Sequence, residues 1–367
     1  MTDNSEEARY AIALTRLSGV TLTMALHTLR ERGTAADAFD YLQQEALRAR
    51  RDTTAFDEAL ARADAEMDFC RKKDIAVWTL TDEAYPTLLR DCTDAPLTLY
   101  YRGTAPLNGR HCIAVVGTRR ITGYGVDLCR QLCADLHRLV PDCLVVSGLA
   151  YGVDIHTHRA CLEVGAETVA VLAHGLDRIY PALHRTTAAQ MTTAGGLLTE
   201  YASGTQPDKG NFIRRNRIIA GMTQATLVVE SAEHGGALIT ARIADSYNHD
   251  VMAFPGRLGD PYSAGCNALI RDNKAQLVTS ADDIVNYLGW TPAPTEKPRQ
   301  GELFPSFSPL QQRIVDLLES TGGESIDRMA IALNTPVKDI NGALIDLELF
   351  GTVRPQPGGR YELVTRL

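Results

Sequence analysis

CIAVVG (112–117), CLVVSG (143–148), TVAVLA (168–173), GLLTE (196–200), TLVVE (226–230) and DVMAFPG (250–256) are short apolar runs rich in Val and Leu. Most end in Gly, Ser or an acid, and stretches with helical spacing separate them. Runs of four to six β-favouring residues bounded by turn residues read as buried strands. Strands that alternate with helices read as a parallel sheet covered on both faces. The expected fold class is therefore α/β, an extended Rossmann-like parallel sheet spanning about 73–289. Upstream, PLTLYYR (96–102) reads as a lead-in strand. ARYAIALTRL (8–17) and TMALHTLRERG (23–33) repeat apolar residues at helical spacing, so residues 1–72 are expected to form a helical N-terminal domain. Downstream, WTPAPTEKPRQGELFPSFSP (290–309) is proline-rich and polar and reads as a linker. Residues 310–367 carry three helical stretches, LQQRIVDLLES, SIDRMAIAL and VKDINGALIDLELFG, followed by the strand pair TVRPQPGGRYELV. That order fits a C-terminal winged helix.

The chain has 367 residues, 45% apolar and 22% charged, with a net charge of −8. No apolar run is long enough to span a bilayer, so no membrane partner is expected. MTDNSEEARYAIAL (1–14) has no basic region leading into an apolar one, which argues against a secretory signal. The eight cysteines include no CxxC pair, and Cys129 and Cys133 have the spacing of a helix core face. Reduced thiols in a cytoplasm, with no metal and no cofactor, are the expectation. The acidic balance argues weakly against nucleic acid, so a DNA binder of this composition must concentrate its cations locally.

In open parallel sheets, ligands sit beyond the carboxyl ends of the strands. The first such turn is Gly117-Thr118-Arg119-Arg120-Ile121-Thr122-Gly123, and the second begins Ser147-Gly148. The first is not GxGxxG, and the second strand lacks the terminal acid that would hold a ribose, so a dinucleotide site is not indicated. No GxxxxGK[ST] and no GxSxG occur. His156 and His158, two apart, would point away from each other on a helix, which makes an acid–base cluster with Asp154 unconvincing. No catalytic residue is assigned. Glu200 and Glu230 end strands and are expected to hold arginines in place.

The strongest local signal is KGNFIRRNR (209–217), four cations and an aromatic in nine residues of an acidic protein. It reads as a loop entering a helix. Cations neutralise phosphates, and an aromatic offers a platform for bases, which is what a single strand of nucleic acid needs. The candidate DNA-contact set is Gly117, Arg119, Arg120, Ser147, Gly148, Lys209, Phe212, Arg214, Arg215, Asn216 and Arg217.

The loops together resemble the DprA/Smf family. GTRRITGYG (117–125), SGLAYGVDIHTHRACL (147–162), GLDRIYP (175–181), LLTEY (197–201), NFIRRNRIIAG (211–221), VVESAEHGGALITA (228–241), FPGRLGDPYSAGCNALI (254–270) and SADDIV (280–285) follow the family's order and spacing. The resemblance covers about residues 75–290. It implies a non-enzymatic protein of natural transformation that binds incoming single-stranded DNA, protects it from nucleases and loads the RecA recombinase. By position it carries over Arg119, Lys209, Phe212 and Arg215-Asn216-Arg217. It also implies a homodimer through Leu269 and Ile270. The chain departs from the family pattern at Ala173-His174-Gly175, Ile213, Gly236-Ala237 and Cys266, none of which removes a cation. LSGVT (17–21) resembles half of a helix-hairpin-helix, with Thr21 in place of its second glycine.

Two other readings are weaker. A nucleotide-cleaving Rossmann hydrolase would need a PGGxGT loop, and Gly235-Gly236-Ala237-Leu238-Ile239-Thr240 lacks it. A promoter-reading regulator would need a basic recognition helix, and VKDINGALIDLELFG offers one lysine against three acids.

Overall fold

The computed structural model describes residues 3–293, 307–349 and 351–364. They fall into two compact units, one running to Ala293 and one starting at Pro294. Most of the expected linker and the end of the last helical stretch, Phe350, lie outside the described residues.

Four helices lead the first unit: α1 (Asp3–Arg16), α2 (Leu22–Arg32), α3 (Ala35–Arg48) and α4 (Thr54–Lys72). They do not stand apart from the sheet. Ile12, Leu14, Phe39 and Phe56 share one buried cluster with Leu97, Tyr100 and Ala202. Glu66 of α4 reinforces the join, accepting from the Ser203 amide at 2.8 Å and the Ser203 hydroxyl at 2.5 Å.

The sheet region runs β1 (Ala76–Thr79), α5 (Thr87–Arg90), β2 (Thr98–Gly103), β3 (Cys112–Val116), α6 (Gly123–Leu139), β4 (Leu144–Ser147), α7 (Val153–Glu163) and β5 (Thr168–Val171). It continues α8 (Arg185–Met191), β6 (Gly195–Thr199), α9 (Lys209–Gly221), β7 (Ala225–Val228), α10 (Ala237–Ser246), β8 (Asp250–Ala253), α11 (Ala264–Arg271), β9 (Gln276–Leu277) and α12 (Ala281–Tyr287). The nine strands lie in the order β1-β2-β6-β5-β4-β3-β7-β8-β9. From β6 to β9 every pairing is parallel. The sheet is mixed all the same, because β1 pairs antiparallel with β2 and β2 antiparallel with β6. The lead-in strand is thus part of a two-strand antiparallel margin, in a sheet expected to be parallel.

The central strands β3 to β7 are buried along their whole length. Alternation sends Ala114, Val116, Leu144 and Val146 into one core with Ile218, Ile219 and Ala241. Ile113, Val115 and Val145 enter the opposite core with Leu128, Leu132 and Cys161. Both faces are therefore covered, which is why these strands read as continuous apolar runs. Fully burying each such Val, Leu or Ile contributes roughly 1.5–3 kcal/mol.

The chain order reverses at β3, whose neighbours are β4 on one side and β7 on the other. Crossovers leave from the two sides of this point, so the turns after β3 and β7 part and open a crevice.

The second unit carries α13 (Pro309–Thr321), β10 (Glu324–Ser325), α14 (Ile326–Ala332), α15 (Val337–Leu349), β11 (Val353–Gln356) and β12 (Arg360–Leu363). The strands form one antiparallel sheet, β10-β12-β11. Ile340, Leu344 and Leu347 of α15 pack into this unit's core with Ile314, Leu318 and Met329. This is the winged-helix arrangement expected from the tail.

Candidate nucleic-acid interface

The crevice at the reversal point is a cleft of about 640 Å3. One wall is the turn after β3, with Gly117, Thr118 and Arg119. A second wall is α9, which presents Lys209, Phe212, Ile213 and Asn216. A third is the start of α10, with Gly235, Gly236 and Thr240. Helix N-termini direct open amides at whatever binds there, which favours an anion.

Two backbone requirements shape the first wall. Gly152 has φ +78°, and a Cβ there would stand 2.1 Å from the Thr118 carbonyl oxygen. Only glycine lets the turn after β4 pack against the turn after β3. The β3 turn is then pinned from its other end. Glu230 accepts from the Thr122 amide at 2.9 Å and from its hydroxyl at 2.5 Å. Glu230 thus fixes the loop that carries Arg119, in place of the arginine pairing expected for it. Thr122 also caps α6 by accepting from the Gly125 amide.

Arg119 is exposed, with its guanidinium carbon 5.3 Å from the centre of the Phe212 ring. Tyr180 lines the same cleft, its ring 5.8 Å from that of Phe212 at 50°. Tyr180 is itself 45% exposed. The cleft mouth therefore combines a cation with two aromatic faces, and Lys209 is exposed beside them. Sequence reasoning took in Arg119, Lys209 and Phe212 but passed over Tyr180. The available signal was an aromatic in a turn after a strand, within GLDRIYP.

The basic cluster 209–217 is helical from its first residue, with Asp208 as N-cap accepting from the Asn211 amide. The helix period then divides it, so the expected single cationic run does not form. Lys209 and Arg214 are exposed, whereas Arg215 and Arg217 are buried. Arg215, 4% exposed, lies in the cleft floor and donates to the Gly148 carbonyl at 2.8 Å and to that of Val171. Burial pulls its guanidinium down to about 10, although Asp154 beneath it works the other way. Burial also raises the Asp154 carboxyl, against the attraction of Arg215. A Cβ on Gly148 would meet the Arg215 guanidinium at 2.4 Å, so this glycine makes room for a side chain and not for a ligand. Ser147 is fully buried and donates to the Val115 carbonyl at 2.6 Å. Ser147 and Gly148 thus support the cleft from below, and Arg215 forms part of its floor. Asn216 lines it and accepts from Arg215 at 3.3 Å. Arg217 turns to the far side of α9 and pairs with Glu200 at 2.5 Å, as expected of that acid. Arg120 is exposed on the β3 turn beside the Tyr262 hydroxyl.

The remaining candidates behave as packing groups. His158 is fully buried, with Nδ1 2.7 Å from the Thr168 hydroxyl. Cys129 and Cys133 are buried on α6. Among the described residues, no group of His, Cys, Asp or Glu is placed to hold a metal ion. No helix there is long and apolar enough to cross a membrane. Leu269 and Ile270 on α11 are half-buried against the core beneath.

Comparison with known proteins identifies the family of the chain. The model of the DNA recombination-mediator protein A family matches residues 76–289, and that of the DprA winged helix domain matches residues 292–359. The chain is 36% identical over 292 residues to protein Smf of Escherichia coli, covering 77% of this chain and 75% of that protein. It is 36% identical over 208 residues to the DNA processing protein DprA of Streptococcus pneumoniae, covering 57% and 72%. The X-ray structure of DprA from Streptococcus pneumoniae superposes with a TM-score of 0.66 at 32% identity, covering 76% of this chain and 97% of that one. A structure of DNA processing protein A from Helicobacter pylori, described for its single-stranded DNA binding mode, gives 0.53 at 27% identity over 58% and 95%. Family models over the sheet region and the winged helix, a relative at 36% identity and a superposable structure all point the same way: the chain belongs to the DNA recombination-mediator protein A family, the DprA/Smf proteins.

Proposed function

We propose that this protein binds single-stranded DNA in the cleft beyond β3 and β7, protects it, and loads the RecA recombinase onto it during natural transformation, without catalysing a reaction. The observation that carries the reading is the exposed Arg119–Phe212–Tyr180 group, with Lys209 beside it. A guanidinium and two ring faces serve a strand of any sequence, because every base has a face and every link a phosphate. A duplex hides its bases and cannot use the rings. The Helicobacter pylori relative's described binding of single strands supports the same reading.

The direct test is fluorescence anisotropy with labelled single- and double-stranded oligonucleotides across a salt series. Four to six neutralised phosphates give a log–log slope of about −3 to −4 for a single strand. A flat response, or a preference for duplex, rejects the reading. Loading is tested separately, by whether the protein accelerates RecA-dependent ATP hydrolysis on a strand limiting for nucleation; no acceleration removes that part alone.

Self-association through α11 belongs to the same proposal. Leu269 and Ile270 are half-buried at the edge of the first unit, where a second copy can cover them. Ile270→Glu is expected to give a folded monomer by light scattering. A surviving dimer, or a chain that unfolds, counts against this interface.

A further inference from the structure

Successive residues turn by about 100° around a helix. Phe212, Asn216 and Ile219 of α9 therefore share one flank, and all three line the strand cleft. Phe212 stands at the mouth with Arg119, whereas Ile219 is buried in the floor with Val116 and Ala237. The cleft thus has a depth that the cation and the rings at its mouth do not account for.

Two polar groups in the cleft have hydrogen bonds left to make. Thr240 of α10 lines it and is only 2% exposed. A threonine inside a helix often turns its hydroxyl back to a carbonyl of the preceding turn, as Thr28 of α2 does to that of Met24 at 2.9 Å. Thr240 does not, and its hydroxyl makes no hydrogen bond among the described residues. The oxygen is not sealed inside the protein either, so the small surface it keeps opens on the cleft. Asn216 is the second group. Arg215 Nε donates to its Oδ1, which fixes the way the amide faces and leaves Nδ2 free to donate. Buried polar groups are normally satisfied, so an unpaired buried hydroxyl and a free amide donor in one cleft mark a place where a ligand supplies the partners.

A neutral occupant suits this floor. Arg215 and Asp154 line it with opposite charges, both buried, while the exposed cations Arg119 and Lys209 stand at the mouth. A phosphate is matched at the mouth; carried to the floor it would meet the Asp154 carboxylate. Val116, Ile219, Ala237 and Ile239 give the cleft apolar walls, which fit a flat body with a polar edge. A nucleobase is such a body, and about 640 Å3 has room for one. A single strand can also turn a base out at little cost, because it has no pairing to break. We propose that one base of the bound strand enters the cleft floor edge first, with a ring acceptor on Asn216 Nδ2 and a neighbouring edge group on the Thr240 hydroxyl. A thymine meets both through O4 and N3–H, since a hydroxyl also accepts. This rests on the strand-binding reading above and adds one position at which the strand is held by an edge and not by a face.

Fluorescence anisotropy of the full chain tests this, with the shortest all-thymidine strand that still binds at full affinity. One thymidine at a time is replaced by a difluorotoluene nucleotide, which keeps the shape of thymine and loses its hydrogen bonds. At one position the replacement should weaken binding roughly fivefold, the worth of a net hydrogen bond or two, and elsewhere it should change little. Thr240→Val, which removes the hydroxyl and keeps the shape, should weaken the unmodified strand by a similar factor. On that variant the analogue at the sensitive position should add no further loss, and Thr240→Ser should behave as the parent does. Equal binding of every analogue strand by the parent protein overturns the proposal and leaves strand binding standing. A sensitive position whose loss is undiminished in Thr240→Val overturns it too, because the edge is then read elsewhere. A chain that binds no strand at all fails the functional reading itself, and this proposal with it.

Discussion

Two arginines of one cleft, Arg119 and Arg215, illustrate how differently the same side chain is used. Arg119 is exposed, stands over the Phe212 ring, and is held by backbone pinned through Glu230. An exposed cation over an aromatic contributes about 0.5–1 kcal/mol to stability at most. Arg119→Ala is therefore expected to weaken single-strand binding by about 1–3 kcal/mol while the melting temperature hardly moves. Arg215 is the reverse case. Its removal strips a donor from the Gly148 and Val171 carbonyls and leaves Asp154 buried without a counter-charge. Arg215→Ala should cost about 3 kcal/mol or more of stability in urea unfolding, and any loss of DNA affinity should track the unfolded fraction. A stable Arg215→Ala protein that fails to bind would show that Arg215 reaches the DNA after all. The sequence could not separate these roles. RRNR reads as four adjacent polar positions, and only the phase of α9 against the sheet decides which of them is covered.

At the scale of elements, the sheet strands were legible because burial on both faces leaves an unbroken apolar run, as in CIAVV and TVAV. The antiparallel margin was less legible. β1, AVWT, is four residues long and partly exposed, so neither its pattern nor its partner shows in composition. The joining of helix to sheet at α7 has a consequence for acid stability. The Thr168 hydroxyl donates to the Val145 carbonyl, so it accepts from His158 Nδ1, and the imidazole proton sits on that nitrogen. Nε2 is left buried and unpartnered. Burial pushes the His158 pKa down to about 3, from 6.5 in the unfolded chain. A lowered histidine binds its proton only in the unfolded state over that interval. Stability is thus full above pH 6.5 and is lost as pH falls from there toward 3, by about 1.4 kcal/mol per unit for one proton. His158→Leu should remove that share of the loss between pH 6.5 and 5 in urea midpoints. A mutant with the wild-type slope would show that His158 is protonated within the fold.

At the scale of the whole molecule, the question is which unit grips the strand. The winged-helix unit has the shape of a DNA reader, but its surface has the wrong charge. On α15 Lys338 is the one cation, while Asp339, Asp346 and Glu348 are exposed. A carboxylate beside a phosphate opposes binding, and no counterion release compensates it. The helix's apolar positions Ile340, Leu344 and Leu347 are spent on the unit's own core. Beside these acids the unit also exposes apolar side chains: Ile331 and Leu349 are each 80% exposed and Ile345 is 58% exposed. Protein surfaces of this kind serve protein partners better than a phosphate backbone does. The first unit, by contrast, carries the cation–aromatic cleft and is complete by Ala293. A chain ending at residue 293 should therefore keep its single-strand affinity within a few-fold in anisotropy, and lose contacts made through Ile331, Ile345 and Leu349. A fall of tenfold or more, about 1.4 kcal/mol, would mean that the acidic face is not what meets the DNA and that the winged helix grips it by another surface.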